Sequence, residues 1–305
     1  MDIQVIFNQM AVLFILMAVG FVVGKLKVLT PDNNKTLTRF VLFIALPCTI
    51  ISSVFDNEIS ITLGDTTYFL LMSFLSILIA FLISLPVVRL MGGEKANRGL
   101  LNFMSVFSNC GFMGFPVVIA IFGASSAYYV ALFNIAFNAL VFSVGIIMIS
   151  GKNVKFDLKL LINPSLISAI IAIPIALTGI RPPQVVVEAI SITGSITSPG
   201  AMIIIGSILA YVPLKTVFSE WRIVPVTLLK LVVVPLLTWL VLRQIITNEL
   251  LLGVLVVISG MPVAAMSSML AVEYDGNEPM ASAGVFLSTL LCGVTVPLIV
   301  YLLLA

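Results

Sequence analysis

Apolar runs long enough to cross a bilayer alternate with short polar connections along the whole chain. A membrane-spanning helix needs about 20 consecutive apolar residues. By that measure ten spans are predicted: 5–24, 36–55, 67–91, 98–122, 126–150, 161–180, 187–211, 217–242, 249–272 and 278–304. The most polar connection, the linker 151–160, divides them five and five. Residues 1–150 therefore read as one five-helix repeat and 161–305 as a second, within one integral membrane domain. The first run starts after Asp2 and ends at Gly24-Lys25 without a small-residue cleavage pattern, so it reads as a span and not as a removable leader.

Two of the ten runs are interrupted near their middle. The fourth carries Asn109-Cys110-Gly111-Phe112-Met113-Gly114-Phe115-Pro116, and the ninth carries Ser259-Gly260-Met261-Pro262. Backbone released from helical pairing inside a membrane must find partners within the protein or a watery cavity. Broken spans at corresponding places in two halves point to a secondary transporter with its site near the bilayer midplane. Gly114, Pro116, Gly260 and Pro262 are the hinge candidates. Pro47 in the second span and Pro199 in the seventh form another matched pair, since proline removes a helical hydrogen bond and crowds the preceding turn. An odd number of spans per half makes the second half enter the membrane in the opposite sense, so the repeat is expected to be inverted.

Charge placement gives the expected orientation. Connections after odd-numbered spans hold twelve basic residues, from Lys25 and Lys27 through Lys35, Arg39, Arg89, Lys95, Arg98, Lys152, Lys155, Lys159 and Lys215 to Arg222. Those after even-numbered spans hold two, Arg181 and Arg243. The positive-inside rule assigns the twelve to the cytoplasm and both termini to the extracytoplasmic side of the cell (inner or plasma) membrane. The remaining cation, Lys230, lies near the centre of the eighth span.

Composition excludes several functions. Charged residues make up 9% of the 305 and mean hydropathy is +1.24, against about 25% charged in soluble domains. There is no histidine, and Cys48, Cys110 and Cys292 all lie in apolar runs without metal-binding spacing. No nucleophile–base set, P-loop or intramembrane carboxylate pair is present, so the chain is not expected to be an enzyme. No cofactor, metal or nucleic-acid partner is indicated.

The stretches Ser108–Pro116 (SNCGFMGFP) and Ser259–Ala264 (SGMPVA), the tail Ala281–Pro297 and the early run Arg39–Pro47 resemble the auxin efflux carrier family. That family includes the plant PIN carriers and bacterial malonate and malate permeases, and the resemblance spans essentially the whole chain. It implies ten helices in a five-plus-five inverted repeat, built as a scaffold bundle and a transport bundle, with broken spans 4 and 9 crossing. It also implies small organic carboxylates as cargo and a homodimer. Many relatives carry Asn four residues after the second proline. Here that position is Met266, followed by Ser267 and Ser268.

A half-helix that begins after a break presents unpaired N–H groups and partial positive charge, which suit an anion. The candidate substrate-binding residues are Ser108, Asn109, Gly111 and Pro116 at the first break and Pro262, Ser267 and Ser268 at the second. Asn134 and Asn138, four apart on one face of the fifth span, either line the cavity or join helices. Thr49 and Ser52 follow Pro47 as possible lining residues, and Ser288 and Thr289 read as helix contacts. Lys230 either balances an anionic substrate or bonds the carbonyls at a broken helix end, since a charge in a span is costly and functional by default. Glu273, Asp275 and Glu278 read as a solvated turn. The expected activity is movement of a small organic anion by alternating access, with sodium or proton coupling open. A cation/proton antiporter and a membrane sensor are the alternatives, the first lacking a central acid and the second a soluble domain.

Overall fold

The elements follow from apolar runs that have no competing partner for their backbone, so each run satisfies its own N–H and C=O groups as helix. The computed structural model describes residues 3–55, 62–93, 95–150, 164–180, 182–212, 220–274 and 276–304. The linker 151–160, Arg181, Lys215 and Asp275 lie outside the described residues. In chain order the α-helices are α1 (Ile3–Lys25), α2 (Pro31–Phe40), α3 (Leu46–Ser52), α4 (Leu63–Leu90), α5 (Lys95–Val106), α6 (Phe115–Phe122), α7 (Ala127–Leu140), α8 (Ile146–Ser150), α9 (Pro164–Thr178), α10 (Gln184–Ser195), α11 (Thr197–Leu209), α12 (Ile223–Leu228), α13 (Val234–Leu242), α14 (Glu249–Ser259), α15 (Met266–Glu273) and α16 (Glu278–Leu304). Among the described residues, seven helical segments are long and apolar enough to cross a membrane: Phe7–Lys25, Pro31–Ser52, Leu63–Leu90, Ala124–Ser150, Gln184–Leu209, Ile223–Leu242 and Glu278–Leu304. Cys110–Phe122, Leu166–Thr178 and Glu249–Ser259 are shorter apolar helices.

Several apolar runs are interrupted not by loops but by π-helical turns, at Val41–Ala45, Cys110–Gly114, Val141–Gly145 and Leu229–Val233. Three of these run directly into a proline in the next first turn: Pro47 of α3, Pro116 of α6 and Pro235 of α13. Proline supplies no N–H and its ring collides with the carbonyl one turn back. Widening that turn to π relieves the clash while the span continues, which is how these prolines act here. Pro199, in the first turn of α11, needs no such adjustment because that N–H has no helical acceptor anyway.

The chain divides into two compact units, each drawing on both halves of the sequence. The first comprises Met1–Leu71, Gly111–Ile135 and Ile162–Tyr211. In it α1 and α11 touch backbone to backbone: a Cβ on Gly20 would lie 2.1 Å from the Ile203 carbonyl oxygen, and one on Gly206 only 1.9 Å from that of Met17. Glycine at such seams lets dispersion contacts replace the hydrophobic drive that lipid removes. Buried hydrogen bonds add direction. Asn34 Nδ2 donates to Ser207 Oγ at 2.9 Å, and the Thr49 hydroxyl lies 2.8 Å from both the Gly194 carbonyl oxygen and the Thr197 hydroxyl.

The second unit comprises Met72–Cys110, Ala136–Leu161 and Val212–Ala305. Helix α5 lies against α8, where Gly99 meets the Met148 carbonyl too closely for any Cβ. Helices α12, α14 and α15 all pack on α16. The rings of Phe103, Phe107 and Phe137 pack in sequence, the first pair tilted and the second edge to face, with centroids 4.6 and 5.7 Å apart.

Candidate functional site

Helix α5 ends at Val106 and α14 at Ser259, each in the interior of an apolar run. The chain leaves the helix at both places, and the residues beyond pair with each other. Ser108 and Val263 form an isolated antiparallel bridge. The Asn109 N–H donates to the Pro262 carbonyl at 2.8 Å, and the Ala264 N–H donates to the Phe107 carbonyl at 3.0 Å. Each break thus satisfies part of the backbone of the other, which the membrane interior cannot do.

Side chains complete this satisfaction. The Val263 N–H points away from the bridge and donates to Ser288 Oγ on α16 at 3.0 Å. The carbonyl of Val106, among the last of α5, accepts from Lys230 Nζ at 3.1 Å, and Ser108 Oγ lies 2.6 Å from the same nitrogen. A cation at a helix C-terminus is favoured by both the free carbonyls and the helix dipole. Lys230 sits in the π-helical turn between α12 and α13 and is 0% exposed. Among the described residues no carboxylate lies within ion-pair distance of it. Its two partners are neutral, and among the described residues no opposite charge stands beside this amino group.

The breaks sit differently in their motifs. The second contains Pro262 itself. The first falls at Phe107–Asn109, ahead of the Gly-Pro letters, so Gly111 and Gly114 belong to the π-helical turn and Pro116 to the first turn of α6. The pairing register follows Ser108 and Val263, not Pro116 and Pro262.

In the second unit the structure brings together Ser108, Asn109, Gly260, Pro262 and Lys230 of the sequence candidates. Asn109 is 5% exposed. Ser267 and Ser268 occupy the first turn of α15. Ser267 Oγ is buried without a hydrogen-bond partner, as are Thr227 Oγ1, one turn before Lys230, and Thr289 Oγ1 on α16. Asn138 also lies in this unit and is half-buried. Thr49, Asn134, Pro47 and Pro199 belong to the first unit. There Thr49 joins α3 to α10 and α11, and Asn134 Nδ2 donates to the Val130 carbonyl one turn back at 2.9 Å. Glu273 is exposed and Glu278 accepts from the Ser282 hydroxyl at 2.6 Å.

The sequence reads Ser288 as a helix contact, and in the structure that contact holds the second break. Its partner Val263 is 25 positions away, and no local pattern links the two. No group of three or more His, Cys, Asp or Glu that could hold a metal occurs among the described residues.

The model of the membrane transport protein family matches residues 5–159 and 153–300. The chain belongs to the membrane transport protein family. This is the auxin efflux carrier-like family that the two break motifs resemble. Relatives are similar along nearly their whole length. An uncharacterized transporter of Methanothermobacter thermautotrophicus is 23% identical, covering 93% of this chain and 94% of that protein. An uncharacterized transporter of Methanocaldococcus jannaschii is 26% identical over 91% and 92%. A putative malonate transporter of Rhizobium meliloti is 24% identical over 95% and 93%. Family membership and the apolar spans make this an integral membrane protein, and the relatives above carry the names of transporters.

Proposed function

We propose that this member of the membrane transport protein family moves a small organic carboxylate across the cell membrane by alternating access, binding it at the paired breaks. The observation that carries the reading is Lys230: a buried basic group attached to the first break through neutral partners only. A bound carboxylate would supply the missing negative charge in a setting where Coulomb energies are far larger than in water. Ser108 and Asn109 from the first break, with Ser267 and Ser268 in the first turn of α15, are the groups to receive it. The buried hydroxyls of Ser267, Thr227 and Thr289 support the same reading, since unpaired polar groups are costly unless something uses them. An antiporter for cations would instead want an acidic residue at the breaks.

The topology that goes with this function is ten spans in a five-plus-five inverted repeat, the shorter apolar helices completing the fourth, sixth and ninth crossings. Two hydrogen-bonded pairings support it, because each joins spans at matching places in the two halves. Ser108 and Val263 join the fourth and ninth, and Thr49 and Thr197 the second and seventh.

Uptake into proteoliposomes tests the proposal, with malonate, malate and indole acetate as cargo, with and without sodium and a proton gradient. Uptake of at least one acid is expected, and Asn109→Ala should weaken its apparent affinity while thermal stability stays near wild type. Folded protein that moves none of the three would sink the reading. The arm that accelerates uptake names the coupling ion.

A further inference from the structure

A groove of about 300 Å³ lies within the second unit, between the middle of α4, the end of α5 and the π-helical turn Val141–Gly145. Its walls are apolar throughout: Phe74, Ile77 and Phe81 on one side, Val106 and Phe107 at the back, Leu140 opposite. The back wall consists of the two residues whose carbonyls receive Lys230 and Ala264. Gly145 shapes that wall, because a Cβ there would come within 2.9 Å of the Phe103 ring and 3.2 Å of the Phe107 ring. The groove is open on one side. Its mouth is framed by Leu78 and Val144, 48% and 38% exposed, and the exposed surface continues along α4 as Leu82 and Leu85 and beyond Val144 as Ile147.

Three physical facts limit what fills it. A space with no polar lining gives water no hydrogen bonds, and a cavity of about 150 Å³ of this kind already takes up benzene while staying dry. Protein interiors pack densely, so a void twice that size forfeits dispersion energy on every wall. Ile77 and Leu78 lie at the midpoint of the 28-residue span α4. At that depth the medium outside an exposed leucine stripe is the ends of lipid chains, not headgroups or water.

We propose that this groove is an acyl-chain site, which takes the tail of one bilayer phospholipid between α4 and the fifth span and seats it against Val106 and Phe107. The site is separate from the carboxylate site in chemistry: it has no cation, no hydroxyl and no helix N-terminus. A tail held there touches the side chains of the same two residues whose backbone ties the first break to Lys230 and to the second break.

The test uses the full chain in nanodiscs of phosphatidylcholine that carries a diazirine near the end of one tail. After illumination, adducts are mapped by peptide mass spectrometry. Yields on the segments containing Phe74–Phe81 and Leu140–Val144 should exceed those on the exposed α16 residues Leu290 and Val294 several-fold. Val144→Trp and Leu78→Phe each narrow the mouth at a partly exposed position, so at least one should fold normally. Either should cut the groove adducts about fivefold or more and leave those on α16 unchanged. Equal yields at both places, insensitive to the variants, would mean ordinary surrounding lipid and overturn the proposal. So would displacement of the adducts by indole acetate, which would assign the groove to a ligand's apolar body. An intermolecular disulfide from Leu78→Cys in place of adducts would assign it to a second copy and overturn it equally.

Discussion

Lys230 Nζ donates to the Val106 carbonyl at 3.1 Å and to Ser108 Oγ at 2.6 Å, so the lysine between α12 and α13 closes the open end of α5. The two residues are 124 positions apart. Replacing Lys230 with Met keeps the length of the side chain but leaves the Val106 carbonyl buried without this partner. A buried group deprived of its partner costs about 1–3 kcal/mol. The expected result is a lower unfolding temperature in detergent and loss of carboxylate uptake. Unchanged uptake by Lys230→Met would remove the charge from any role in anion binding.

Ser288 offers a cleaner separation of structure from binding. Ser288→Ala strips the acceptor from the Val263 N–H, again at about 1–3 kcal/mol, whereas Ser288→Thr retains a hydroxyl. Thermal unfolding should place Thr close to wild type and Ala well below it. Equal stability of all three would mean that the Val263 N–H has another acceptor available.

Ser267 should behave in the opposite way. Its hydroxyl is buried, with no partner in the structure. Removing an unsatisfied polar atom does not destabilise, so Ser267→Ala should unfold at or slightly above the wild-type temperature. If the hydroxyl serves the ligand, the same variant loses part of the thermal shift produced by the transported acid. A full shift in Ser267→Ala would place the hydroxyl outside the site.

The α1–α11 seam predicts a size threshold. Gly20→Ala puts a carbon where the Ile203 backbone already is, so the helices must separate and folded yield should fall sharply in size-exclusion profiles. Gly64→Ala, near the start of α4, meets only Thr62 Oγ1 at 3.5 Å and should be tolerated. Similar yields for the two variants would contradict the backbone contact.

Thr49 and Thr197 can be measured as a pair. Hydrogen bonds between membrane helices average about 0.6 kcal/mol and reach about 1.7 kcal/mol. A double-mutant cycle with Thr49→Val and Thr197→Val should return a coupling in that range from unfolding midpoints. Zero coupling would show that the Gly194 and Ala45 carbonyls hold Thr49 without help from Thr197.

Much of this was readable from one chain. A continuous apolar run has only helix as a low-energy state in lipid, so spans such as Leu63–Leu90 and Glu278–Leu304 follow from composition over about 20 residues. The second break was legible because Pro262 lies inside it. The first opens several residues ahead of the most disruptive letters, because Gly111 to Pro116 are accommodated by a π-helical turn and the first turn of α6. The real opening at Phe107–Asn109 contains no proline or glycine at all.

The sequence by itself therefore determined that the chain is membrane-embedded helix, that two spans are interrupted, and that a lone lysine is buried among them, because hydropathy and the cost of an intramembrane charge act locally. Only the tertiary structure decided which atoms repair the interruptions. Ser108 pairs with Val263, Ser288 accepts from Val263, and Lys230 donates to Val106 and Ser108, all across 25 to 155 positions. Hydrogen-bond demand is written in the chain, but the donor that meets it depends on which spans come to lie side by side.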